Sequence, residues 1–134
     1  MDDLVAFLQA RLDERAARAE AARHGGDGVW SQPYPDTSPG MVADSADEYV
    51  VYDDSLTSRE QAAHIAANDP ARVLREVEAK RRLIELHGAD GAHECPEGAD
   101  AWGARTGYER NCLTLRLLAA VYADHPDYLE EWRP

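Results

Sequence analysis

Four side chains hold the residue types that bind zinc. His87, His93, Cys95 and Cys112 are spaced H-x5-H-x-C-x16-C. Thiolates and imidazoles are the donors Zn2+ prefers, and four of them make a closed, structural site. His87 falls at the end of a predicted helix and Cys112 at the start of another. His93 and Cys95 fall in the Gly-rich loop between. One ion would tie that loop to both helix ends, and its binding energy would count as folding energy for a segment with little apolar surface. A structural zinc is therefore the cofactor expected. The plainer reading makes Cys112 a core thiol, Cys95 a loop cysteine and both histidines solvent-exposed.

Other chemical motifs are weaker. His93-Glu94 with Cys95-Pro96 has neither the spacing nor the second cysteine pair of the zinc deaminases. His64 lies among Ala and Ile and reads as a packing histidine. His125, before Pro126, reads as a turn or capping residue. Asp44, Asp53 and Asp54 read as a solvated acidic loop. There is no phosphate-cradling Gly-rich loop, no nucleophile elbow and no His-Glu-x-x-His.

The elements that would position these residues are mostly helical. Asp69 and Pro70 open the clearest one, running to His87: a carboxylate to accept from the free amides of the first turn, then a residue that needs no donor there. Val73, Leu74, Val77 and Ile84 recur on one face, with Leu83 and Leu86 at its flank. Glu78–Arg82 and Glu76–Lys80 are acid-before-base pairs four apart. Ser58 with Gln61 forms a capping box for a shorter helix, Arg59 to Ala67, and Asn68-Asp69-Pro70 makes the two a kinked pair. An N-terminal helix starts at Asp2 or Asp3 and runs to about Arg23, with Leu4, Phe7, Leu8 and Leu12 inward. Its Ala- and Arg-rich second half has little to bury and is expected to reach past the core.

Glu48 to Tyr52 is the best strand, pairing as a hairpin with Val29–Tyr34 or Met41–Ala43. Asn111 is expected to cap the last helix, where Cys112, Leu115, Leu118, Ala119 and Tyr122 share a stripe. The tail should fold back so that Tyr128 and Trp132 leave water.

The fold class is α+β, mainly helical: N-terminal helix, short β-hairpin, kinked helix pair, C-terminal helix. At 134 residues the chain reads as one domain. Its segments are 1–24, the loop and β segment 25–57, the helix pair 58–87, the Gly-rich loop 88–110, and the last helix and tail 111–134.

A formal charge of −12 argues against direct nucleic-acid binding, which needs clustered Lys and Arg. No apolar run is long enough for a membrane span, and the acidic N-terminus lacks the basic region of a signal peptide. A cytoplasmic protein with reduced cysteines follows.

Three stretches carry a resemblance. The ending, Cys112-x-Thr114-Leu115-Arg116-Leu117-Leu118-Ala119 with Tyr122-Ala123-Asp124-His125-Pro126-Asp127-Tyr128 and Trp132, resembles that of an uncharacterised family of small actinobacterial proteins common in streptomycetes. The opening MDDLVAFLQARLDE and the middle AAHIAANDPARVLREVEAKRRLIELH resemble the same family, a domain of unknown function. The resemblance implies kinship and no activity. It also implies a Cys pair two apart in the loop, where this chain has His93-Glu94-Cys95. The middle, through Ala62-Ala63-His64-Ile65-Ala66 and Asp69-Pro70, is similar to lambdoid-phage early-region Ea-type proteins as well.

The expected function is that of a non-enzymatic accessory or interaction protein of actinobacterial or phage origin, acting on a protein partner or as a homodimer. Two alternatives stand beside it. One is an acidic DNA mimic that inhibits a nucleic-acid-binding protein, against which the interleaving of carboxylates with Arg on the helices counts. The other is a small metal-dependent enzyme using Glu94 as a base.

Overall fold

The computed structural model describes residues 2–52, 56–88 and 112–134. The elements run α1 (Asp2–Ala22), β1 (Trp30–Ser31), β2 (Val42–Asp44), β3 (Tyr49–Val51), α2 (Arg59–Ala67), α3 (Pro70–Gly88), α4 (Leu113–Ala120) and a 3-10 turn (Glu130–Trp132). This is the mainly helical α+β fold read from the residues, with one more strand than the hairpin. The chain divides into two compact units: Glu14–Val77, and Met1–Asp13 with Glu78–Pro134.

In the Glu14–Val77 unit, a three-stranded antiparallel sheet has the order β1-β2-β3. Trp30 pairs with Asp44 and Ser31 with Ala43. Met41, Val42 and Ala43 are buried, as is Ala62 of α2. Trp30 is half-buried. The capping box forms as predicted: Gln61 N–H donates to Ser58 Oγ at 3.1 Å, and Ser58 N–H donates to Gln61 Oε1 at 2.8 Å.

The start of α3 is anchored on Gly28 and on Trp30, the first residue of β1. Asp69 Oδ1 accepts from Arg72 N–H at 2.7 Å, as an N-cap should. Its Oδ2 accepts from Trp30 N–H at 3.1 Å, and Ala71 N–H donates to Gly28 O. Gly28 sits at φ +77°, and a Cβ there would meet Arg23 Cγ at 2.9 Å and Pro70 Cβ at 3.0 Å. The position therefore takes only glycine, by backbone angle and by space.

The second half of α1 does not run free of this unit. Ala19 is buried, and Arg15 Nη2 stands 3.5 Å from Glu76 Oε2. Glu76 also takes Arg72 Nε at 3.0 Å, the residue four before it.

The other unit is built on the first three turns of α1. Leu4, Leu8 and Leu12 are buried with Ile84, Leu115 and Ala119. Asp13 and Arg81 pair at 2.6 Å, and the predicted Glu78–Arg82 pair forms at 3.2 Å. Gly88 closes α3, and a Cβ there would lie 3.0 Å from Val5 Cγ2.

Phe7 is the hub of the aromatic residues in this unit. Its ring meets those of Tyr122, His125 and Tyr128 edge to face and lies 4.9 Å from Trp132. The tail thus folds back as expected, with Trp132 only 3% exposed. The Arg11 guanidinium stands over the Phe7 ring, and its Nη1 lies 2.6 Å from Nε2 and 2.9 Å from Nδ1 of His125. His125 also accepts from Asp127 N–H through Nδ1, so it is the hydrogen-bonding turn residue predicted.

Asn111, expected as the cap of α4, lies outside the described residues. Cys112 holds the cap position with no side-chain cap hydrogen bond. His64 is exposed rather than packed, with Asn68 Nδ2 donating to its carbonyl at 2.8 Å.

Candidate functional site: a tyrosine pair on an acidic β edge

The proposed zinc site has to be corrected. A closed site needs four ligands converging on one point. Among the described residues no group of three or more His, Cys, Asp or Glu could hold a metal ion. His87 and Cys112 do meet, with Cys112 Sγ 3.2 Å from His87 Nδ1. That is a thiol–imidazole hydrogen bond joining the last turn of α3 to the start of α4. His93 and Cys95 lie outside the described residues. The zinc expectation rested on donor types and spacing, which do not say whether the backbone brings the donors to one centre.

Asp44, read from the sequence as part of a solvated acidic loop, is a turn residue. Its Oδ1 accepts from Ala46 and Glu48 N–H, both at 2.9 Å, and so shapes the turn between β2 and β3. Asp47 completes that turn at φ +61°, a left-handed angle that Asp tolerates better than most residues. Asp53 and Asp54 lie outside the described residues.

Surface chemistry gathers instead on β3. Tyr49 and Tyr52 are 58% and 64% exposed, and their rings meet edge to face with centroids 5.3 Å apart. Residues three apart on a regular strand point to opposite faces. Here the ladder pairs Val42 with Val51 but Ala43 with Tyr49, so two consecutive residues of β2 face positions two apart on β3. Val50 is the extra residue of a β-bulge. The bulge shifts the alternation by one, and Tyr52, the residue just after β3, brings its ring to the same side as Tyr49. Bulges often re-aim a side chain in this way, at the cost of an unpaired residue.

The surrounding sequence has a one-sided charge. From residue 25 to residue 58 stand Asp27, Asp36, Asp44, Asp47, Glu48, Asp53 and Asp54, with no Lys, Arg or His. Asp47 and Glu48 are exposed beside the tyrosines in the chain. Asp27 is held below the usual carboxylate range by a hydrogen bond from Ser45 and by the Val29 amide, with a smaller contribution from the charge of Arg23. Sequence reasoning took Tyr49–Tyr52 only as a strand. The signal that marks the region is this absence of bases, visible in the sequence once charge is read by segment rather than over the whole chain.

No helix among the described residues is long and apolar enough to cross a membrane. No curated protein and no solved structure matches the chain. Residues 1–134 match the model of the Family of unknown function (DUF6221), and the chain therefore belongs to that family.

Proposed function

We propose that this chain is a non-enzymatic interaction protein whose β3 edge takes up a basic segment of a protein partner. One observation carries the reading: a pair of exposed tyrosines is assembled by a bulge within a segment of seven carboxylates and no base. Tyrosine supplies large contact area at little entropic cost, and exposed aromatic residues on an otherwise polar surface are the usual anchors of an interface. The carboxylates select the sign of what docks there and speed its approach. A second copy of the chain is disfavoured as the occupant, since a two-fold contact through this edge would set the same carboxylates against each other. The resemblance of the ending and the middle supports an accessory role of actinobacterial or phage origin.

The test is calorimetric titration of the full chain with an extended Lys/Arg-rich peptide and with its Asp/Glu counterpart, at low and high salt. The basic peptide should bind, more weakly as salt rises, and the acidic peptide should not. In the double variant Asp47→Asn/Glu48→Gln the affinity for the basic peptide should fall and its salt dependence should flatten. Equal binding of both peptides, or of neither, refutes the reading.

A further inference from the structure

The interaction reading leaves open which cation the edge prefers. We infer that the Tyr49–Tyr52 pair is a receiving site for arginine side chains; this rests on the proposed docking of a basic segment and goes on to name the chemistry that the segment must carry.

The two rings stand at 74° to each other with centroids 5.3 Å apart, so the face of one is set against the edge of the other. A flat cation lying on the open face of either ring meets the negative side of its quadrupole. A guanidinium is flat, weakly hydrated and carries its donors in the ring plane. It can stack and still direct N–H groups outward to carboxylates at the rim, where Asp47 and Glu48 are exposed in the turn that leads into β3. An ammonium is a compact, strongly hydrated charge. It gains from the carboxylates but gives up more water to reach a ring face.

The bulge adds a structural reason. Strict alternation from Tyr49 would send the ring of Tyr52, three residues on, to the opposite side, leaving one ring for a stacked cation. The extra residue at Val50 breaks that alternation at a cost in ladder pairing, and Tyr52, just after β3, meets Tyr49 ring to ring. An interface needing only apolar area would gain nothing from that rearrangement, because Val50 and Leu56 are exposed in the same stretch. Two rings held edge to face offer a planar group one face to lie on and a second ring to flank it.

The chemistry of this molecule already includes such a contact. Arg11 places its guanidinium carbon 5.2 Å from the centroid of Phe7 in the other unit. That contact is internal and buried; the β3 pair presents the same kind of ring face to solvent.

The experiment compares two peptides of equal length and charge, one with Arg-Gly repeats and one with Lys-Gly repeats, titrated into the full chain and followed by calorimetry and by the ring signals of labelled tyrosine. The Arg peptide should bind about two- to fivefold more tightly, the worth of an exposed cation–π contact. Tyr49→Leu and Tyr52→Leu should each erase that preference while the Lys peptide binds as before. Tyr49→Phe and Tyr52→Phe should keep it, since the ring and not the hydroxyl is used. Tyr34→Leu, at another exposed tyrosine of the same acidic segment, should leave it untouched. Equal affinity for the two peptides, or a preference that survives both Leu variants, overturns the arginine site and leaves the acidic edge as a general cation receptor. Failure of both peptides to bind overturns the interaction reading, and this inference with it.

Discussion

The Asp69 carboxylate joins the first turn of α3 to the backbone of Trp30, 39 residues earlier in the chain. One oxygen accepts from Trp30 N–H at 3.1 Å and the other from Arg72 N–H at 2.7 Å. Asp69 is 8% exposed, and both hydrogen bonds are partly shielded from water. Asp69→Ala should therefore cost more than a helix cap alone. The cap contributes about 1 kcal/mol, and a partly buried amide left without its partner adds about 1 to 2 kcal/mol. The expected loss is about 2 to 3 kcal/mol in urea unfolding. Asp69→Asn, which keeps one acceptor oxygen, should lose about half of that. A loss for Asp69→Ala no larger than that for an exposed cap would mean that the Trp30 bond contributes nothing.

That corner also separates what was legible in the sequence from what was not. Asp69-Pro70, the Ser58/Gln61 capping box and the Leu4–Phe7–Leu8–Leu12 face all depend on neighbours within one or two helical turns. Local chemistry determines them, and they stand where the residues predict. The partner of Asp69 in β1 is different. A two-residue strand has too little pattern to be seen, and it exists because α3 and β2 hold it. The bulge at Val50 is hidden for the same reason, since register belongs to a pair of strands and not to one. The zinc expectation fails on the corresponding point. Among the described residues His87 and Cys112 are brought together but no set of three or more donors converges, and ligand spacing along the chain carries no information on convergence.

Asp27 gives a pH dependence whose sign can be worked out. Its carboxylate accepts hydrogen bonds from Ser45 and from Val29 N–H, and its pKa in the folded chain lies below the ordinary 3.8. A depressed carboxylate stabilises the fold fully above its unfolded value, and the contribution is lost as pH falls through the folded one. Wild type should exceed Asp27→Asn in stability by a constant margin from neutral pH down to the ordinary carboxylate range. Below that the margin should shrink toward zero. Urea unfolding of both proteins across this range measures it, and a margin that widens on acidification would reverse the assignment.

The Cys112–His87 contact predicts behaviour in the presence of chelators. A thiol–imidazole hydrogen bond on a half-buried cysteine contributes about 1 kcal/mol or less. Cys112→Ser keeps a donor and acceptor at the same place and should shift the melting temperature by only a few degrees. Treatment with a strong zinc chelator should leave the melting curve of the wild type unchanged. A fall of tens of degrees on chelation, matched in Cys112→Ser, would restore the metal site that the described residues do not form.

Trp132 tests how far the tail is part of the core. Its ring lies 4.9 Å from that of Phe7 and meets Tyr128 edge to face at 5.8 Å, and the Arg116 guanidinium donates to the carbonyl of the next residue, Arg133. These contacts hold the last residues against α1 and α4 of the same unit. Trp132→Ala removes a large buried side chain and should cost about 3 to 5 kcal/mol, enough to leave a domain of this size marginal. Trp132→Phe keeps an aromatic ring against Phe7 and should cost less than the Ala variant by at least about 1 kcal/mol. Denaturant unfolding gives both values, and hydrogen exchange locates the loss. If the tail is integral, protection should fall in α4 and the first turns of α1 together. If only the tail amides lose protection and stability is unchanged, Trp132 is a docked ornament on a core that stands without it.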